Sequence, residues 1–92
     1  MRKQMRSRLG IIRDILKTVN EEGKSPITRI MYGARLPYDR LSSILNELVK
    51  KGLIEKIEDD EGKYYIITEK GIKLLDEIER LEKILDKLGL EI

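Results

Sequence analysis

The spacing of apolar residues changes at Gly52, from steps of three and four before it to an alternating pattern after it. The first spacing belongs to amphipathic helices and the second to half-buried strands, so the chain must pass from helical to extended there. The helical part comes in three pieces. Leu9, Ile12, Ile15, Leu16 and Val19 define a helix over residues 7–20, which Ser7 can cap and which Glu21, Glu22 and Gly23 end. Pro26 suits the first turn of a short second helix over 26–32, which Gly33 is expected to break. Leu41, Ile44, Leu45, Leu48 and Val49 form the inward stripe of a third helix over 37–51, opened by Pro37 and closed by Gly52.

Residues 53–58 and 63–68 are two apolar-rich runs around Asp59, Asp60, Glu61 and Gly62, the signature of a β-hairpin. Tyr65 and Ile67 would share one face of it, with Tyr64 and Ile66 on the other. Thr68 can cap a last helix over 69–88, which Gly89 closes. Three short helices and a two-stranded hairpin make the winged helix-turn-helix arrangement, in which the third helix is presented to a DNA major groove. The expected fold is thus mainly α with a small β-hairpin (α+β). Residues 1–68 form the winged helix-turn-helix and residues 69–92 a C-terminal dimerisation helix, together one continuous structural domain.

Composition narrows the chemistry. The 92 residues suit a single core, and they include no cysteine and no histidine. Disulfides, thiolate nucleophiles, imidazole bases and the common zinc spacings are excluded. There is neither a phosphate-cradling glycine loop nor a nucleophile–base pair, so no enzyme, no cofactor and no metal site is expected. No apolar run is long enough to span a bilayer, and residues 1–10 are basic without the apolar stretch of a signal peptide, which points to the cytoplasm. A charged fraction of 39% and a single glutamine fit a heat-adapted host. Charge is unevenly placed: residues 1–56 carry 13 Lys and Arg against 6 Asp and Glu, and residues 57–92 carry 6 against 11. A basic first half suits a polyanionic partner, here double-stranded DNA.

With its apolar stripe committed to the core, helix three turns outward Tyr38, Asp39, Ser42, Ser43, Asn46 and Lys50. Asn46 can bond an adenine edge, Ser42 and Ser43 can bond bases or phosphates, and Arg40 and Lys50 can neutralise phosphates. Alternatively this is simply the wet side of an amphipathic helix. Tyr38 either stacks on sugar and phosphate or covers the turn, while Met31 and Tyr32 are assigned to packing. Arg29 and Arg35 flank the second helix, which crosses the DNA backbone in this motif. Arg2, Lys3, Arg6, Arg8 and Arg13 are spaced along the N-terminal tail and first helix, either as a basic arm along phosphates or as a terminus without fixed contact. The acidic wing tip, Glu58 to Glu61, would repel a phosphate backbone, leaving Lys63 as the one wing residue able to reach it. That tip is read as a solvated turn, as a device keeping the wing off the duplex, or as a contact for a basic patch on another protein.

The stretch from Arg29 to Ile54 followed by KYYIITEKG at 63–71, and most specifically TRIMYGA at residues 28–34 with Tyr65, Thr68 and Gly71, makes the chain resemble the small archaeal winged-helix DNA-binding proteins of about ten kilodaltons, whereas LVKKGLI at 48–54 is common to many winged-helix regulators. The resemblance covers residues 7–88. It implies a long C-terminal helix that joins two chains in an antiparallel coiled coil, and a role as transcriptional regulator or DNA-coating architectural protein.

Read from its residues, the last helix points the same way. Leu74, Ile78, Leu81, Leu85 and Leu88 follow the four-three alternation of a coiled-coil seam, with Ile72 and Leu75 left to face the chain's own core. Twenty helical residues extend about 30 Å, past a domain this small. The expected protein is a homodimer with no membrane or small-molecule partner, associated with the nucleoid in the cytoplasm. It reads the major groove with residues 37–51 as a transcriptional regulator. The alternatives are a sequence-nonspecific chromatin protein and a winged-helix protein-interaction module.

Overall fold

A computed structural model describes residues 7–90. The elements run α1 (Arg8–Glu22), α2 (Ile27–Ala34), α3 (Tyr38–Lys50), β1 (Ile54–Asp59), β2 (Gly62–Ile67) and α4 (Glu69–Lys87), the order expected from the change of period. Ser7 caps α1 by accepting the Gly10 N–H at 3.0 Å, and Gly23 ends it at φ 81°, where a side chain would be strained. Pro26 and Pro37 stand at the N-caps of α2 and α3 in extended conformation.

Gly33 does not break α2, contrary to expectation. The helix continues through it to Ala34, because a Cβ at position 33 would lie 2.3 Å from the Thr18 hydroxyl oxygen on α1. The glycine is there for helix-to-helix approach. The chain turns instead at Arg35, whose left-handed backbone (φ 56°) is uncommon for a residue with a side chain.

The core is one cluster drawn from every element. Ile15, Leu16 and Val19 of α1, Ile30 and Ala34 of α2, and Leu41 and Leu45 of α3 are fully buried, with Leu48, Ile54, Tyr65 and Leu75 packed among them. Each fully buried aliphatic side chain contributes about 1.5–3 kcal/mol relative to exposure.

The hairpin pairs antiparallel from Ile54–Ile67 to Asp59–Gly62. Tyr65 is buried and Ile67 packs against the core, so the face these two were expected to share is the inward one. A third segment joins it: Ser25 and Tyr65 exchange backbone hydrogen bonds of 2.9 Å in both directions, tying the α1–α2 connection to the wing.

Thr68 fixes the entry to α4. Its hydroxyl accepts the Gly71 N–H at 3.0 Å and donates toward the Gly52 and Leu53 carbonyls, at 2.7 and 3.0 Å. The first half of α4 then lies on the domain, with Leu75 and Ile78 buried, and Arg13 of α1 bonds Glu82 at 2.6 Å. The last turns project, giving the molecule a longest dimension of 48 Å.

Candidate nucleic-acid interface

Helix α3 owes its orientation to Leu41, Ile44, Leu45 and Leu48, which commit one side to the core. Residues about half a turn away must then face solvent. Asp39, Arg40, Ser43, Asn46 and Lys50 are exposed, as is Tyr38 at the helix start, whereas Ser42 is half-buried on the flank. The exposed set offers an amide, a hydroxyl and two cations along one side of a helix.

The remaining sequence-predicted cations that are described lie on α1, at the two ends of α2 and on β2. Arg6, with Arg2 and Lys3, lies outside the described residues. Arg8 opens α1 and forms an ion pair with Glu47 of α3. Together Arg8, Arg40 and Ser43 line a groove of about 380 Å³ floored by Ile11, Ile12 and Ile44. Arg29 is exposed on α2 and reaches Glu22 at 3.4 Å. Arg35 lies beside Thr28, Met31, Tyr32 and Leu36 in a second groove of about 460 Å³. Lys63 is exposed, with Glu58 as its cross-strand neighbour.

Several expectations need correction. Arg13 is not part of a basic arm, because Asp14 and Glu82 both bond it, at 2.8 and 2.6 Å. Partial burial works against its charge, but hydrogen bonds and attraction from Glu82 and Asp14 outweigh that and hold the guanidinium more firmly protonated. Tyr32 does not pack: its side chain is 82% exposed, while Met31 does lie against the core. On so short a helix only one narrow stripe is covered, and residue 32 falls outside it.

The apolar row of α4 is also shifted. Ile78 is only 3% exposed within its own chain and so is not available to a partner, and Leu74 is half-buried against the core. Ile72, expected to face inward, is exposed. The large apolar residues left in solvent toward the end of α4 are Leu81 and Ile84, with Leu88 at its C-cap and Leu90 beyond it, and Leu85 half-buried beside them. Ile84 was absent from the sequence-derived seam, although its steps of three from Leu81 and four to Leu88 carry the same signal.

The wing holds a small polar network that sequence reasoning missed. Tyr64 donates its hydroxyl to Asp59, and the Lys24 ammonium lies 5.1 Å from the centre of the Tyr64 ring. The Tyr64 bond holds the Asp59 carboxyl below its ordinary range, helped by the Glu61 N–H, and correspondingly raises the Tyr64 phenol. Burial raises the Tyr65 phenol, helped by nearby Tyr38. Among the described residues no group of His, Cys, Asp and Glu could hold a metal ion, and no helix is long and apolar enough to cross a membrane.

A half-buried three-helix unit, a two-stranded wing and a solvent-facing third helix define a winged helix-turn-helix protein. The chain belongs to the winged helix-turn-helix family, whose model matches residues 5–86. It is 32% identical over 85 residues to an uncharacterized protein of Methanocaldococcus jannaschii, MJ0287, covering 92% of this chain and 82% of that one. The crystal structure of Sso10a-2, a DNA-binding protein from Sulfolobus solfataricus, superposes with a TM-score of 0.82 at 38% identity, covering 91% of this chain and 86% of that one. The resemblance to small archaeal winged-helix proteins, drawn from TRIMYGA and the Tyr65, Thr68 and Gly71 pattern, is borne out.

Proposed function

We propose that this protein binds double-stranded DNA as a homodimer and regulates transcription, each copy setting α3 in a major groove. One observation carries the reading: on a winged helix-turn-helix scaffold, α3 turns Ser43, Asn46 and Lys50 outward, and the one carboxylate within that stretch, Glu47, is paired with Arg8. An Asn on an exposed recognition helix is a base-reading side chain, Ser43 can bond a base or a phosphate, and Arg40 and Lys50 suit phosphates. The name of the Sulfolobus relative, a DNA-binding protein, agrees. Dimerisation is supported by Leu81, Ile84 and Leu88, an apolar row of about two turns running to the C-cap of α4, which a second copy of the same helix would cover. No catalytic role is proposed, and the setting is the nucleoid in the cytoplasm.

The acidic wing makes the wing a bystander and leaves Arg29, Arg35 and the N-terminal basic residues to hold the backbone. Titration of labelled duplex at several salt concentrations, with footprinting on genomic fragments, tests this. Discrete protected sites support a regulator, and continuous coating would transfer the protein to the architectural class. Absence of retardation even at low salt would leave a protein-interaction module. Within the first outcome, Asn46→Ala should cost about 1–3 kcal/mol at preferred sites and little on random DNA. Lys50→Ala should weaken both alike.

A further inference from the structure

Glu47 follows Asn46 directly on α3, and its carboxylate binds the guanidinium of Arg8 across the helix pair. The two side chains remain 59% and 42% exposed, so solvent screens the pair and it does little to hold the fold. It does, however, fix Arg8 against the flank of the recognition helix. Arg40, Ser43 and Glu47 are three and four residues apart and therefore share that flank. Arg40 forms no ion pair among the described residues. Arg8, Arg40 and the Ser43 hydroxyl thus converge on one groove, beside the very face that is proposed to enter DNA.

A carboxylate and a phosphodiester offer a guanidinium the same pair of anionic oxygens. We propose that the Arg8–Arg40–Ser43 groove is a seat for one backbone phosphate of DNA and that Glu47 is its internal stand-in, holding Arg8 until a phosphate displaces it. This rests on the DNA-binding reading above. In the free chain the carboxylate keeps Arg8 ordered at the edge of α3. On binding it must give Arg8 up, so Glu47 subtracts from affinity. The subtraction is recovered only where the docking register brings a phosphate into the groove, which makes Glu47 a discriminator against poorly seated complexes.

Four proteins test the seat: the full chain, Glu47→Gln, Arg8→Gln and the double variant, each titrated with one duplex across a salt series. Glu47→Gln is expected to bind about threefold tighter at low salt, the scale of an exposed ion pair. Its dependence of log K on log salt should match that of the unaltered chain, because Arg8 meets the same phosphate in both, whereas Arg8→Gln should flatten it by about 0.9, the share of one phosphate. Arg8→Gln should bind more weakly, and adding Glu47→Gln to it should change nothing. Unchanged or weaker binding by Glu47→Gln would overturn the seat, as would a full threefold gain persisting in the Arg8→Gln background, which is plain charge repulsion. Should the unaltered chain fail to bind duplex at low salt, the DNA-binding reading itself fails. Failure of the seat alone leaves that binding intact. All four should melt together, since the pair is exposed.

Discussion

Gly71 approaches the carbonyl of Leu53 so closely that a Cβ on residue 71 would lie 2.1 Å from the carbonyl oxygen. The obstacle is backbone, and that carbonyl also accepts the Thr68 N–H at 3.2 Å, so it cannot turn aside without undoing the start of α4. Gly71→Ala should therefore destabilise the chain by about 2–3 kcal/mol, within the range for overpacking, despite the better helix propensity of alanine. A melting curve checks this, since each kcal/mol moves the midpoint by roughly 4–8 °C in a domain of this size. A midpoint equal to that of the unaltered chain would refute the contact.

Gly33 meets a side chain instead, and the expectation differs accordingly. Its added Cβ would contact Thr18 at Oγ1, Cγ2 and Cβ, at 2.3, 2.6 and 3.0 Å. Gly33→Ala should cost about 1–2 kcal/mol. Combining it with Thr18→Ala removes two of the three obstructing atoms, so the double variant should be more stable than the sum of the two single effects. Strict additivity in chemical denaturation would show that the helices are not in register at this point.

The two glycines also show what could and could not be read in advance. Ser7, Thr68 and Gly23 act on their own neighbours, so caps and helix ends were legible, as was the hairpin from the alternation of Tyr65 and Ile67. Gly33 carries the same local signal as a helix breaker, and only Thr18, on another helix, decides against it. The four-three steps of Leu74 and Ile78 mark an apolar stripe without saying whether it faces home or away; contact with α1 decides that. Arg8–Glu47 and Arg13–Glu82 join residues 39 and 69 positions apart. No periodicity announces such pairs, and so two arginines read as available for phosphates are engaged with carboxylates. The outward face of α3 was legible because its opposite stripe was unambiguous.

Asp59 gives a prediction in pH. Its carboxyl is held below its ordinary 3.8 by the Tyr64 hydroxyl. A carboxylate depressed in the folded state adds stability above its unfolded value and loses it as pH falls through the folded one. The Asp59 resonance should accordingly titrate below the ordinary value for an aspartate, and Tyr64→Phe should move it back up. Because the group is fully exposed, the change in overall melting should be slight. A titration unaffected by Tyr64→Phe would remove the bond as its cause.

Self-association is open to the same kind of test. Ile84→Lys with Leu88→Lys alters residues that are 50% and 66% exposed in the single chain, so the fold should tolerate both within about 0.5 kcal/mol each. Sedimentation equilibrium should give twice the chain mass for the unaltered protein and a single mass for the variant. A single mass for both would remove the homodimer from the proposal.

The Thr68 cap sets more than where α4 begins. Each residue of a helix turns about 100° around its axis, so one residue inserted between Ile67 and Thr68 would leave the cap to restart the helix unchanged, whereas one inserted after Gly71 would swing every later side chain by that angle. Leu75 and Ile78 would leave their sockets, and Leu81, Ile84 and Leu88 would point to a new quarter of solvent. Length is thus negotiable on one side of a four-residue clasp and forbidden on the other, and related chains should tolerate insertions only upstream of it.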